Sequence, residues 1–276
     1  MLLSIRHVTT YCFEHPVAHG LQRLRLRPKP THGQHVLDWD MTLEGVQFEV
    51  QYDDHNQNHT ALVSLVPGAR EVTISCTGQV QTADRSGIVG PHVGHLPLWA
   101  LLEQTALTRP GARMRALVQS FGGPNAASGG AERVDMLHRL SQAILGEVQY
   151  QTGETDAQTT AEEAMGVGSG VCQDHTHIFV GCARALGVPA RYVSGYLMMN
   201  DRIDQDAGHA WAEAHVEGIG WVGFDVSNGI SPDARYVRVA TGQDYREAAP
   251  ITGLSYGAGD SDLRVRLAVE QQTAEQ

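Results

Sequence analysis

Long apolar runs are missing from this sequence of 276 residues. None approaches the roughly 18 consecutive apolar residues that a membrane-spanning helix needs. The first residues, Met1–His7, also lack the basic stretch followed by an apolar stretch that marks a secretory signal peptide. We therefore expect a protein that has no membrane partner and works in the cytoplasm.

An excess of positive charge is also missing, because the net charge is −11 at pH 7. Such an acidic chain has no electrostatic support for binding nucleic acid or an anionic membrane. The segment Arg23–Lys29 is a local exception in which basic residues alternate with leucine. This alternation predicts a half-exposed strand with a charged outer face.

Cysteine is scarce, and its spacing excludes the common metal-binding frameworks. The four cysteines form no CxxC pair and no zinc-finger spacing. Histidine is plentiful, with fourteen residues, but no HExxH motif occurs. His175 and His177 are two positions apart on a predicted helix, so they point away from each other. We expect neither a catalytic metal nor a cofactor.

The pattern of short apolar runs predicts an α+β protein in three parts. Residues 1–85 form a β-rich module, residues 86–130 a helical connector and linker, and residues 131–276 a core with C-terminal strands. In the first part, turn signals separate short runs rich in β-branched and aromatic residues, which is typical of a β-sandwich. Those runs are His7–Phe13, Val36–Leu43, Val46–Tyr52, Thr60–Val66 and Glu71–Val80.

Helices and strands alternate in the rest of the chain. Short helices are predicted in Leu98–Leu107 and Met114–Val118, and the breaker-rich stretch Gly122–Gly130 is either a loop or a linker. The predicted core elements are two helices and three strands followed by a terminal strand that docks onto a sheet. They are Glu132–Leu145, Cys172–Leu186, Arg191–Met198, His209–Val216, Trp221–Val226 and Leu263–Val269.

Cys172 differs from the other cysteines in its position at the start of a predicted helix, after a glycine-rich approach. A thiol becomes nucleophilic as the thiolate, which a helix N-terminus and a nearby imidazolium favour. The preceding glycines allow close approach of a substrate to the backbone. Cys182 lies on the apolar stripe of the same helix, so we interpret it as a core residue.

A base and an orienting carboxylate follow on two predicted strands. His209 begins the first strand, and Asp225 ends the second. Cys172, His209 and Asp225 are therefore predicted to form a papain-type catalytic triad. A hairpin loop of three residues, Val216–Gly218, would pair His215 with Ile219 and place His209 directly opposite Asp225. A loop of five residues, His215–Ile219, keeps the same side-chain parity and is also acceptable. On the same face as His209 we expect Trp211 and Glu213, with Trp211 and Trp221 lining the cleft.

Several motifs resemble the bacterial transglutaminase-like cysteine protease family. The similar stretches are Gly170–Asp174, Ala183–Tyr196, His209–Glu213, Gly220–Asp225 and Tyr245–Gly253, with residues 1–80 similar to the family's β-rich N-terminal region. The resemblance implies a papain-like or transglutaminase-like core in which Cys172, His209 and Asp225 are the catalytic residues. It also implies an oxyanion donor before the nucleophile, for which Gln149 and Tyr150 are the candidates.

One departure from the family concerns the residues after Asp225, where Val226-Ser227-Asn228 replaces the usual Pro-Thr-Asn. This change keeps the carboxylate but alters the backbone that aims it.

The expected activity is cleavage of an amide or peptide bond through a Cys172 thioester, with a protein, peptide or amide as substrate. A protein-glutamine transamidase is the alternative if an amine rather than water releases the acyl group. A non-catalytic binding or assembly module with the same fold is the rival of another class. The sequence leaves the substrate and a homo-oligomeric state open.

Overall fold

The computed structural model describes residues 1–123 and 129–272. Part of the predicted loop or linker Gly122–Gly130 and the last residues of the chain thus lie outside the described residues. The strands are β1 (Leu2–Phe13), β2 (His19–Leu24), β3 (Gln34–Glu44), β4 (Val46–Asp53), β5 (His59–Leu65), β6 (Glu71–Thr82), β7 (Ile88–Gly90), β8 (Gln149–Tyr150), β9 (Ser169–Gly170), β10 (Ala190–Leu197), β11 (Asp204–Gln205), β12 (His209–Val216), β13 (Gly220–Phe224), β14 (Tyr236–Gly242), β15 (Ile251–Tyr256) and β16 (Ser261–Gln271).

The helices are α1 (Ala112–Ser120), α2 (Gly130–Glu147), α3 (Ala161–Val167), α4 (Cys172–Ala185) and α5 (Tyr245–Ala248), with a 3₁₀ turn at Leu98–Leu102. The mixture of helices and mostly antiparallel sheets confirms the predicted α+β class. In the described parts of the chain, no helix combines the length and the apolar character needed to cross a membrane.

Two antiparallel sheets form a β-sandwich that contains most of the N-terminal strands. Their strand orders are β11-β16-β1-β6-β3 and β15-β2-β5-β4. Alternate residues of β1 and β6 face inwards, as expected for strands with one buried face. Ile74 of one sheet and Leu24 and Val63 of the other belong to the same buried cluster. The predicted β-rich N-terminal module is confirmed.

The last two strands, β15 and β16, belong to this sandwich, whereas the sequence analysis grouped them with the core. In β16, Val265 is paired with Thr9 of β1, and in β15, Leu254 is paired with Leu21 of β2. The alternating pattern of the last strand predicts one buried face, but it does not specify which edge the strand joins. The boundaries near residues 85 and 130 remain predictions.

The third sheet supports the candidate site and has the strand order β14-β10-β12-β13-β7. Ala212 and Ala214 of β12 share a buried cluster with Phe179 and Cys182 of α4. Because alanine side chains are short, the helix can pack closely against the sheet, and this packing fixes where its first residue lies.

The segment Arg23–Lys29 differs from the predicted half-exposed strand. The strand β2 ends at Leu24, and both Arg25 and Lys29 are buried. Arg25 donates a hydrogen bond of 3.1 Å to Asp54. Lys29 Nζ donates to the carbonyl of Asn56 at 2.6 Å and to Asn58 Oδ1 at 3.1 Å. The expected charged outer face is therefore wrong for these two residues, since both find polar partners inside.

Candidate active site

Cys172 is the first residue of α4, and the side chain of Asp174 caps the start of this helix. Asp174 Oδ2 accepts hydrogen bonds from the backbone N–H of Val171 at 2.8 Å and from the hydroxyl of Thr155 at 2.7 Å. A carboxylate at this position caps the helix and interacts favourably with its dipole. A Cβ atom at Gly170 would lie 2.7 Å from Asp174 Oδ2, so the glycine makes room for the cap. The thiol is thereby placed beside the free N–H groups of the first helical turn.

His209 occupies the first position of β12 and contacts both of its predicted partners. Its Nε2 lies 2.6 Å from Asp225 Oδ2, and its side chain is only 10% exposed. With Nε2 bound to the carboxylate, Nδ1 is the ring nitrogen left for the side chain of Cys172, with which His209 also interacts. Burial acts to lower the pKa of His209, but the hydrogen bonds to Asp225 and Cys172 outweigh it and raise the pKa to about 10.

Asp225 is buried, and its carboxylate accepts hydrogen bonds from His209, Asn228 and Tyr236. Asn228 donates its side-chain amide to Oδ2 at 2.7 Å and its backbone N–H to Oδ1 at 3.2 Å. The hydroxyl of Tyr236 donates to Oδ2 at 2.7 Å. Burial acts to raise the pKa of Asp225, but His209, Asn228 and Tyr236 hold it below its usual range.

Ser227 and Asn228 follow Asp225 in the segment that departs from the family pattern, and both make hydrogen bonds near the site. Asn228, the residue that the departure retains, forms a tight turn with Asp225, whose N–H donates to Ile230 at 2.8 Å. Ser227 donates its hydroxyl to His175 Nδ1 at 2.8 Å, because the other ring nitrogen of His175 donates to Val148 O at 2.9 Å.

The sequence analysis did not identify Tyr236 as a site residue. Tyr236 carries no signal in the sequence, since its approach to Asp225 depends on the pairing of β14 with β10.

The hairpin register differs from the predicted one by two residues. The loop is Glu217–Ile219, so Val216 is paired with Gly220 and His215 with Trp221. Gly218 has φ +81 and occupies the middle of the loop, not its end as predicted. A shift of two residues keeps the side-chain parity, so Asp225 stays on the face of His209, and the two residues meet diagonally and not directly opposite.

The candidate oxyanion donors lie on β8, which runs parallel to β9 next to the nucleophile. Tyr150 is 54% exposed, and its ring centroid lies 6.3 Å from that of His175. Burial of its hydroxyl and the nearby Cys172 raise the pKa of Tyr150, which keeps the phenol protonated. Gln149 is the preceding residue of this short strand, so its side chain points to the opposite face. The geometry favours Tyr150.

Trp211 and Trp221 are both buried. Trp211 is 3% exposed and packs behind the catalytic candidates, with ring centroids 6.3 Å from His209 and 5.4 Å from Tyr236. Trp221 is paired with His215, roughly 20 Å along the strand from His209 at about 3.3 Å per residue. The expectation that Trp221 lines the cleft is wrong, because the ring is buried under the guanidinium of Arg191.

The histidines of α4 have separate partners. His175 binds Val148 and Ser227, whereas His177 Nε2 accepts from the backbone N–H of Tyr245 at 3.1 Å. Across residues 1–123 and 129–272, no group of three or more His, Cys, Asp or Glu side chains is arranged to hold a metal ion.

Comparisons with known proteins agree with this architecture. Residues 121–226 match the sequence profile of the Transglutaminase-like superfamily, and residues 3–81 match that of the Bacterial transglutaminase-like N-terminal region. An uncharacterized protein of Mycobacterium leprae is 24% identical over 95% of this chain and 96% of its own length. An uncharacterized protein of Mycobacterium tuberculosis is 36% identical over 47% of this chain and 45% of its own length.

A solved structure has the same fold along the whole chain. The crystal structure of a proposed cysteine protease from Cytophaga hutchinsonii superposes with a TM-score of 0.75 at 22% sequence identity. The superposition covers 100% of this chain and 92% of that one.

Proposed function

The chain belongs to the transglutaminase-like superfamily, and on that premise we propose that it is a thiol-dependent acyl-transfer enzyme that cleaves amide or peptide bonds. The observation that carries the proposal is the set of contacts that links Cys172 to His209 and His209 to a buried carboxylate at 2.6 Å. A histidine with a pKa raised to about 10 is an imidazolium at neutral pH, which stabilises a thiolate beside it.

The first half of the reaction forms a thioester. The thiolate sulfur of Cys172 bonds to the substrate carbonyl carbon, and the electrons of the C=O double bond move to oxygen. When the intermediate collapses, the C–N bond breaks and the leaving amine takes the proton from His209 Nδ1. Asp225 remains ionised and holds the ring in the orientation that directs Nδ1 at the sulfur.

The second half releases the acyl group. Water attacks the thioester carbon and gives a proton to the now neutral His209. The C–S bond then breaks, which regenerates the Cys172 thiolate and releases the carboxylic acid as product. The oxyanion donors that fit both halves are the backbone N–H of Cys172, at the start of α4, and the hydroxyl of Tyr150.

The test starts with the reactivity of the thiol and uses a second cysteine of the same chain as its control. Cys12 is partly exposed, as Cys172 is, and its Sγ lies 3.7 Å from Glu71 Oε2, so it serves as the comparison thiol. At pH 6 we expect iodoacetamide to alkylate Cys172 at least tenfold faster than Cys12, as measured by peptide mass. His209→Ala should remove the difference.

Turnover is then tested by trapping the acyl group on the intact protein with a library of peptides and amides. A mass increase at Cys172 that decays to free acid supports hydrolysis, and decay to a new amide when an amine is supplied identifies an acyl transferase. An unreactive Cys172 together with no turnover would show that the protein is a binding module, and unchanged turnover in Cys172→Ala would show that Cys172 is not the nucleophile.

A further inference from the structure

A cavity of about 200 Å³ lies where the β-sandwich meets the third sheet. One wall is formed by the inner faces of β1 and β16, through Thr9, Tyr11, Leu263 and Val265. The facing wall comes from β10, the segment before β12, and α5, where Tyr245 lies. Neither wall alone encloses the space, so both halves of the molecule are needed to form it.

This cavity adjoins the proposed active site. Gly195 and Gly208 line it, and they are the ladder partner and the chain neighbour of His209. Tyr245 lines it as well, and this residue packs in the same cluster as Cys172. A group bound in the cavity would therefore lie next to the carbonyl that Cys172 attacks.

The walls are uncharged. The described residues that line the cavity include no aspartate, glutamate, lysine or arginine. His7 lies at the inner end, where its two ring nitrogens contact Tyr196 at 2.9 Å and Thr9 at 3.0 Å. Burial lowers the pKa of His7 to about 4, so the ring is neutral at physiological pH. A charged group would enter without a counter-charge, which is costly in a site of this kind.

The size of the cavity suits a large side chain. An engineered apolar protein cavity of about 150 Å³ binds benzene, and the present one is somewhat larger at about 200 Å³. The alternation of β1 explains why the space exists. Leu3 and Ile5 share a closed core with Val269 at one end of the sheet, whereas Thr9 and Tyr11 continue the same face without filling it.

We propose that this cavity is the subsite for a neutral aromatic or large aliphatic side chain of the substrate, adjacent to the bond that Cys172 cleaves. The proposal rests on the proposed function and deepens it. It assigns strands β1 and β16 of the sandwich a direct part in substrate selection, with Tyr11 and Tyr245 among the residues that line the subsite.

The experiment compares four acyl-amino-acid chloromethyl ketones that differ only in the side chain: Phe, Leu, Asp and Lys. We expect the Phe and Leu reagents to inactivate the enzyme at least tenfold faster than the Asp and Lys reagents. Val265→Phe narrows the cavity and should remove that preference. Arg266→Phe is the matched control, because Arg266 is exposed on the opposite face of β16. If Val265→Phe does not fold, Leu263→Trp serves instead, since Leu263 is 52% exposed.

Equal rates for all four reagents, or equal effects of Val265→Phe and Arg266→Phe, would overturn the subsite. Alkylation by iodoacetamide, which needs no subsite, should stay unchanged in every variant. If iodoacetamide itself shows no preference for Cys172, the proposed function fails. Binding to the cavity is then tested by NMR, as chemical-shift changes of the Cys172→Ala protein when N-acetylphenylalaninamide is added. Shifts at Tyr11 and Val265 that N-acetylaspartamide does not cause support the subsite, and their absence refutes it.

Discussion

His209 is held in its charged form by its neighbours, and Asp225 provides the strongest of these contacts at 2.6 Å. In Asp225→Asn, one amide oxygen can still orient the ring, but the negative charge that stabilises the imidazolium is lost. We expect reduced activity that stays above that of His209→Ala. The alkaline limb of kcat/KM should lie near pH 10 in the parent and at lower pH in the variant, because removing a carboxylate lowers the pKa of a neighbouring histidine. Equal and complete losses in the two variants would contradict this ranking.

Tyr236 donates a hydrogen bond of 2.7 Å to Asp225 Oδ2, the same oxygen that His209 contacts. Tyr236→Phe removes this donor but keeps the ring that packs against Trp211. The pKa of Asp225 should then rise, since one stabilising donor is gone, and the acid limb of the kcat/KM profile should move to higher pH. We expect kcat to fall several-fold with KM unchanged. The free energy of unfolding should fall by about 1–2 kcal/mol. Tyr52→Phe, at an exposed position, is the control.

We expect Tyr150 to stabilise the oxyanion of the reaction and to leave the reactivity of the Cys172 thiol unchanged. Tyr150→Phe should lower kcat by roughly a hundredfold, in line with the loss of one oxyanion donor. The alkylation rate of Cys172 by iodoacetamide should not change, because that reaction develops no oxyanion. Gln149→Ala, on the other face of the same strand, should leave both rates near those of the parent. Slower alkylation in Tyr150→Phe would instead indicate a role in positioning the thiol.

The helix α4 carries two cysteines whose environments differ. Cys182 is fully buried, and burial raises the pKa of its thiol. Cys182→Ala should lower the free energy of unfolding by about 1–2 kcal/mol, as expected for a small deletion in a core, and leave turnover intact. Cys172→Ala should abolish turnover and leave the free energy of unfolding nearly unchanged. Urea denaturation and turnover measured on both proteins check this, and a loss of activity in Cys182→Ala alone would contradict it.

The hairpin β12–β13 shows how far local patterns determine this structure. Alternation along His209–Val216 predicted the strand with its observed bounds, and the same pattern placed Asp225 on the face of His209. The register was wrong by two residues because side-chain parity repeats every two positions, so several loop lengths satisfy it. Gly218 was expected at the third loop position, whereas the structure places it in the middle of the loop.

Contacts between distant segments account for what the sequence could not predict. Tyr236 reaches Asp225 because β14 pairs with β10, and no local pattern specifies that pairing. The C-terminal strands join β1 and β2 for the same reason. Their alternation predicted a buried face but not a partner. The cavity beside His209 follows from this closure, so it was not visible in the sequence.

The two halves of the molecule are tied together by buried polar contacts. Gln34 bridges to β14 by donating to the carbonyl of Arg238 and accepting from its N–H, each at 2.8 Å. Lys29, the single lysine of the chain, donates to Thr241 at 3.0 Å. Such contacts must be satisfied when they are buried, so they fix the position of the sandwich against the third sheet. The cavity depends on that position.

A buried ionic cluster holds three strands of the third sheet together. Glu213 of β12 accepts from Arg191 of β10 at 2.6 Å and from Arg238 of β14 at 2.7 Å. Burial alone would raise the pKa of Glu213, but the two guanidinium groups outweigh it and lower the pKa to about 2. Since the folded pKa is below the unfolded value, this interaction stabilises the protein above about pH 4.5. The stabilisation is lost as the pH falls from there towards 2.

Glu213→Gln tests whether this cluster supports the whole molecule. The neutral side chain leaves the guanidinium groups of Arg191 and Arg238 without a counter-charge, so we expect a loss of about 3–5 kcal/mol in the free energy of unfolding at pH 7. The variant should also lack the part of the acid destabilisation that comes from Glu213, so the two proteins should become more alike as the pH falls from about 4.5 towards 2. Glu217→Gln, in the exposed hairpin loop of the same sheet, is the control and should change stability little at any pH. Urea titrations between about pH 3 and about pH 8 measure the difference. A stability gap that is small at neutral pH, or one that does not narrow in acid, would show that the cluster is not what holds β10, β12 and β14 in place.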